Sequence, residues 1–202
     1  MIEAAIGLRP HTGWASLVVI GRAPSALIDR RRLELLAPGV PDQLYHAAAE
    51  RESVDAAGLV AETVAAVDAL AARALRNVLD EQHGRSRNII ACGLIGTART
   101  TPALAAVLAS HARIHAAEGD LFRNALAKAA QSAGLPLVIV SEKDVAAETA
   151  HALGITPASL QRHVAEIGHI AGAPWRADQK LAAMAAMLAI ARTAGTGVAL
   201  RA

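Results

Sequence analysis

Apolar residues in the first 36 positions come in three short runs, EAAIGL, WASLVVIG and SALIDRRRLELL, parted by RPHTG and RAP. Runs of this length with turn residues at hairpin spacing predict three antiparallel strands across about residues 3–36. Pro38, Gly39 and Pro41 then close the meander and open a loop through Tyr45 and His46. The period changes after Val54. Val60, Val64, Val67, Ala71, Ala74 and Val78 recur at threes and fours, which predicts a long amphipathic helix over about 54–82, stopped by Gly84. Ile89 to Ile95 is unbroken apolar sequence, the pattern of a strand buried on both faces at about 88–95.

The rest of the chain alternates in the same way. In TTP, Thr101 is placed to cap and Pro102 to take the first helical position, which predicts a second long helix over about 102–132. LPLVIVS gives a strand at about 135–141, and SEKD behind it resembles a capping box built on Ser141 and Asp144. Helices are predicted at about 142–153, 157–167 (opened by Thr156 and Pro157) and 178–193. Three strands, helix, strand, helix, strand and further helices imply an α/β fold: a mixed five-stranded sheet with helices on both faces, in a single domain spanning 1–202.

Composition narrows the picture only a little. Hydrophobic residues are 53% and charged residues 19% of the 202, as in a folded, alanine-rich chain. A formal charge of +2 permits an anionic partner without announcing nucleic acid. The lone Cys92, inside NIIACGLIG, excludes an internal disulfide and reads as a small buried hydrophobe in a reducing compartment. Glu3 and Arg9 interrupt any early signal-like segment. The longest apolar stretch, Leu181 to Ala191, is too short to span a bilayer. No membrane partner and a cytoplasmic location are therefore expected.

The element order, together with TGWA at Thr12, Gly13, Trp14 and Ala15, resembles the ribonuclease H-like superfamily, in particular its Holliday-junction resolvase branch. In that branch the first strand ends in IDPG; here the place reads LRPH, with Arg9 where the first metal-binding aspartate would be and His11 in place of the glycine. The family's second acid, a glutamate at the end of the fourth strand, has no counterpart in GLIGTARTTP, which offers Arg99 instead. The closing aspartate of the last helix is echoed by Asp178 in RADQKLAAMAAMLAIA. The resemblance thus implies the fold with most of the catalytic acids missing. Guanidinium groups in place of carboxylates invert the charge that would gather divalent cations. Arg9, His11, Thr97 and Arg99 would instead converge at adjacent strand ends, beside the helix expected to start at Pro102, as a candidate anion-binding group.

The second long helix carries a separate signal. From Leu104, steps of four and three reach Leu108, His111, His115, Glu118, Phe122, Ala125 and Ala129, so two imidazoles and a carboxylate interrupt an apolar stripe. Three readings are open. His111, His115 and Glu118 are spaced to hold zinc or iron, with His169 or Asp178 completing the shell only through tertiary contact. Glu118 could act as a general base, with Asp178 as a second carboxylate, in a metal-dependent nuclease or hydrolase. The stripe could also be a buried network, Glu118 meeting Arg113 or Arg123, or the seam of a homodimer. Gly119 beside the glutamate predicts close approach of another backbone.

Two further segments read as structural. DRRRLE alternates its basic side chains between faces and suits a solvated edge strand, while Trp175 in GAPWRADQK closes the core. The function expected from all of this is a non-catalytic or divergent ribonuclease H-like protein that binds nucleic acid or another phosphate-bearing ligand. The alternatives are the metal-dependent hydrolase using Glu118 and Asp178 with His111 and His115, and a structural homodimer. A divalent metal cofactor enters only with the hydrolase.

Overall fold

The computed structural model describes residues 1–22 and 26–196. Strands β1 (Ile2–His11), β2 (Trp14–Gly21) and β3 (Leu27–Glu34) form the predicted antiparallel meander, whose RAP turn lies partly outside the described residues. A short helix α1 (Leu44–Ala49) precedes the long helix α2 (Ser53–Gly84). Strand β4 (Arg87–Ile95) then runs parallel to β1. Helices α3 (Leu104–Leu108) and α4 (His111–Ser132) lead to β5 (Leu137–Val140), parallel to β4, and α5 (Val145–Ala152), α6 (Pro157–Ala171) and α7 (Ala177–Thr196) follow. The sheet order is β3-β2-β1-β4-β5, which places β1 at the centre and lets both crossovers bring β4 and β5 in on the same side.

Alternation along the central strands divides the core into two. Ala4, Ile6 and Leu8 of β1, Leu17 and Val19 of β2, and Cys92 and Leu94 of β4 face one way, against Val67, Ala71, Leu75 and Val78 of α2 and Leu121, Phe122 and Ala125 of α4. Ala5, Val18, Ile20, Ala91, Ile95 and Val140 face the other way, against α5, α6 and the alanines of α7. Strands buried on both faces read as continuous apolar runs for this reason.

Helix α7 lies unusually close to the sheet. A Cβ built on Gly7 would stand 1.8 Å from the carbonyl oxygen of Ala182, and one built on Gly93 would stand 2.0 Å from that of Ala185. The glycines of β1 and β4 therefore form a flat seat, and Ala182, Ala185, Ala186 and Ala189, all without exposure, let the helix backbone settle on it. No helix among the described residues is long and apolar enough to cross a membrane.

Several boundaries differ from the sequence reading. The loop through Tyr45 and His46 holds α1, six residues that are too few to show a period. The helix expected over 102–132 is two helices: Ser110 is extended, with φ −151° and ψ 125°, and α4 restarts at His111. Thr101 and Pro102 do not open α3, whose N-cap is Ala103; the Thr101 hydroxyl oxygen accepts from the Asn124 amide at 3.2 Å instead. The capping box at SEKD does not form, because the Ser141 hydroxyl donates to the Asp144 carboxylate at 2.5 Å and no side chain caps α5. Thr156 does cap α6, accepting from the Ser159 amide at 3.1 Å with Pro157 in the first turn. Gly119 faces open space rather than another backbone.

Candidate functional site

The parallel strands β1, β4 and β5 end side by side, and in open α/β sheets the crevice beyond the carboxyl ends of such strands is where ligands bind. Here that crevice is a cleft of about 290 Å³. Its walls come from the end of β1 (Arg9), the segment after β4 (Gly96, Thr97, Arg99), the residues after β5 (Ser141, Glu142) and one face of α4 (His115, Gly119, Asp120, Arg123). Gly96 has φ +152°, and its missing side chain makes room for the Arg123 stem, since a Cβ there would meet Arg123 Cδ at 2.2 Å.

Three guanidinium groups share this cleft. Arg9 reaches across the strand ends to Glu142 at 2.7 Å and also donates to the Pro10 carbonyl at 2.9 Å. Arg123 is bound to Asp120 one turn earlier on α4. Arg99 is exposed and has no ion-pair partner among the described residues. Both carboxylates in the cleft are thus already occupied by arginines, one cation remains over, and the buried Nε atoms of Arg9 and Arg123 have no acceptor. A buried donor left without a partner costs on the order of 1–3 kcal/mol. Arg9, Thr97 and Arg99 are therefore brought together. His11 is not.

His11 turns instead to the last helix, its Nε2 lying 2.9 Å from Asp178 Oδ1. Its ring stacks on Trp14, its partner across the β1–β2 turn, with centroids 4.1 Å apart and planes within 10°. The Arg32 guanidinium lies over Trp14, 4.0 Å from the ring centre. Asp178 is thus already engaged by the His11 imidazole. The other two arginines of DRRRLE are also tied down. Arg30 donates to the carbonyls of Ala171 at the end of α6 and of Gly172, Ala173 and Pro174 beyond it, and Arg31 binds Glu81 at 2.8 Å and Asp29 at 2.5 Å. Trp175 packs on Gly168 and donates its indole N–H to the Val164 carbonyl at 3.0 Å, a core role as expected.

On α4 the polar stripe separates into two environments. Glu118 is buried: its Oε1 accepts from the backbone N–H groups of Tyr45 at 2.6 Å and His46 at 3.2 Å, and lies 3.4 Å from His46 Nδ1. It meets neither Arg113 nor Arg123, which bind the Ala106 carbonyl and Asp120. His111 and His115 are exposed, in the first turns of α4, with their Nε2 atoms 2.9 Å apart. Glu118 and Asp178 do not meet. They sit on helices packed against opposite faces of the sheet and share no hydrogen-bonding partner.

No protein-family model matches the chain, and neither does any curated protein. Solved structures do match. RuvC of T. thermophilus, in complex with Holliday junction substrate, superposes with a TM-score of 0.52 at 18% identity over 97% of each chain. The Thermus thermophilus RuvC structure gives 0.50 at 17% identity, over 97% of this chain and 98% of that one. The chain has the ribonuclease H-like fold of RuvC. The acid-held cations implied by this fold do not suit the strand ends found here. Arg9 and Arg99 stand in the cleft, Glu142 is held by Arg9, Asp178 by His11, and the one group of three ligating side chains found among the described residues is made of α1 and α4 histidines, not of strand-end residues.

The sequence reading missed Glu142, Asp120 and His46. Glu142 had a usable signal, since it immediately follows a predicted parallel strand, where crevice residues are found. His46 had none, because its position depends on how α1 packs against α4.

Proposed function

We propose that the chain binds nucleic acid through its phosphates at the arginine cleft, in the manner of a ribonuclease H-like protein whose cation site has been replaced by an anion site. The observation that carries this reading is the charge of the cleft: three guanidinium groups against two carboxylates, both already paired, at the ends of β1, β4 and β5. Arginine suits phosphate because its planar fork donates two parallel hydrogen bonds. Thr97, on the same wall, adds a hydroxyl donor. Since the structurally similar RuvC was solved with Holliday junction substrate, branched DNA is the first ligand to try. Hydrolysis by Glu118 and Asp178 is the weaker reading, because the two carboxylates lie on opposite faces of the sheet and each is already engaged.

Fluorescence polarisation with a labelled four-way junction, a single strand and a duplex tests the proposal. With one unpaired cation in the cleft, the logarithm of the affinity should fall with the logarithm of salt at a slope of about −1. Arg99→Ala, which breaks no ion pair, should shrink that slope by about 1 while leaving the melting temperature unchanged. Absence of salt-sensitive binding to all three ligands, or an Arg99→Ala variant that binds as tightly as the native chain, defeats the reading.

A further inference from the structure

A second group of side chains adjoins the arginine cleft. His46 on α1 and His111 and His115 on α4 each place one ring nitrogen within 4.8 Å of the other two. Ring centroids are 5.3 Å apart for His46 and His111, 4.8 Å for His46 and His115, and 4.4 Å for His111 and His115. The last pair follows from their spacing of four on one helix, which stacks side chains on a single face. His46 comes from a different element, so the three converge only in the folded chain. The Nε2 atoms of His111 and His115 share one hydrogen bond, 2.9 Å long, and His46 stands edge-on beside both rings.

Glu118 supplies the second, independent observation. Its side chain is only 9% exposed, and Oε1 is fixed by two backbone N–H groups of α1 while also facing His46 Nδ1. A carboxylate behind one nitrogen of a histidine holds the proton there and frees the other nitrogen for a metal, as in many zinc sites. Its second oxygen, Oε2, is buried without a partner, so the carboxylate has capacity beyond its work of anchoring α1. The Nε2 atoms of His111 and His115, 2.9 Å apart, are also close to the roughly 3.3 Å that separates two nitrogens bound to one tetrahedral zinc ion. Exposed side chains cover the difference with small rotations.

We propose that His46, His111 and His115 form a site for a divalent cation of the zinc class, with His46 oriented through Nδ1 by Glu118. Nitrogen donors select such ions over magnesium and calcium, which take oxygen ligands. Glu118 is a positioning residue here rather than a member of the ligand set. Three protein ligands leave a fourth position for water or an anion oxygen, the mark of an open site. His115 also lines the arginine cleft, so the ion and a phosphate held there would share a wall. The site stands or falls separately from the nucleic-acid reading.

The full chain, freed of metal by chelation, is titrated with zinc alone by calorimetry and with cobalt(II) in a visible spectrometer. One ion per chain and the strong visible bands of four-coordinate cobalt are expected. His111→Ala and His115→Ala, both at exposed positions, should keep the fold and weaken zinc binding by more than the 10–100-fold that an outer-shell partner typically carries. Glu118→Gln should weaken it by about 10–100-fold and alter the cobalt spectrum, a change that loss of packing alone does not produce. His151→Ala, on α5, should change nothing. The proposal is overturned if zinc binding does not saturate at one equivalent, or if His111→Ala and His115→Ala bind it as tightly as the native chain.

Discussion

Gly7→Ala and Gly93→Ala test how α7 is seated. The added methyl at position 7 would lie 1.8 Å from the Ala182 carbonyl oxygen and 2.7 Å from its carbon; at position 93 it would lie 2.0 Å and 2.4 Å from the same atoms of Ala185. Real Cβ contacts essentially never fall below 3.0 Å, so the helix must lift by about 1 Å at either point. No side chain can rotate aside, because the obstacle is backbone. Lifting loosens a contact lined by Ala182, Ala183, Ala185 and Ala186, none of which has any exposure. Overpacking typically costs 1–3 kcal/mol, and a rigid obstacle places each variant near the top of that range, about 3 kcal/mol. For a chain of this size that lowers the melting temperature by about 6–12 °C. Both methyls push the same helix the same way, so the double variant should lose less than the sum of the two. Ala182→Gly should not rescue Gly7→Ala, since it leaves the carbonyl in place. Circular-dichroism melts and urea titrations read all of these. Single variants that melt within about 2 °C of the native chain, or an additive double variant, would refute the seating of α7 described above.

Two smaller predictions concern α4 and Cys92. Gly119 lies within α4 with nothing within 4 Å of a built Cβ, so Gly119→Ala should stabilise the chain by about 1 kcal/mol and raise its melting temperature by about 2–4 °C; a fall would mean that the glycine is needed for its backbone. Complete burial pushes the Cys92 thiol from an ordinary 9.0 up to about 12. Between those values the unfolded chain binds fewer protons than the folded one, so stability drops as pH rises through that window, by up to about 1.4 kcal/mol per unit. Tyr45, raised first by burial and then by Glu118 and Asp120, acts in the same direction. Melting temperatures from pH 8 to 11 should therefore fall less steeply in Cys92→Ala, and equal slopes in the two proteins count against the assignment.

What could be read in the sequence followed from how far each signal depends on distant contacts. The five strands and α2 showed because their patterns are local: unbroken apolar runs in a sheet covered on both faces, and a period near 3.6 sustained over many turns. The break at Ser110 was hidden because Leu104 and Leu108 stay in phase with His111 across it, so spacing alone continues the helix. At the strand ends, position in the topology was enough to group Arg9, Thr97 and Arg99. It could not separate His11, which lies on the same face of β1 as Arg9. The arginine is long enough to reach around the strand end to Glu142, whereas the shorter imidazole stays beside Asp178. Glu118 was visible as a carboxylate needing a partner, but that partner is the amide backbone of a helix too short to predict.

The seat of α7 on the sheet also bears on how the chain is made. The strands that α7 covers leave the ribosome long before it does; the contact between His11 and Asp178 joins residues 167 positions apart. Until α7 arrives, Ala5, Val18, Ile20, Ala91 and Ile95 lack the helix that covers them in the folded chain. A chain that ended before residue 177 would therefore carry that face of the sheet without α7 over it.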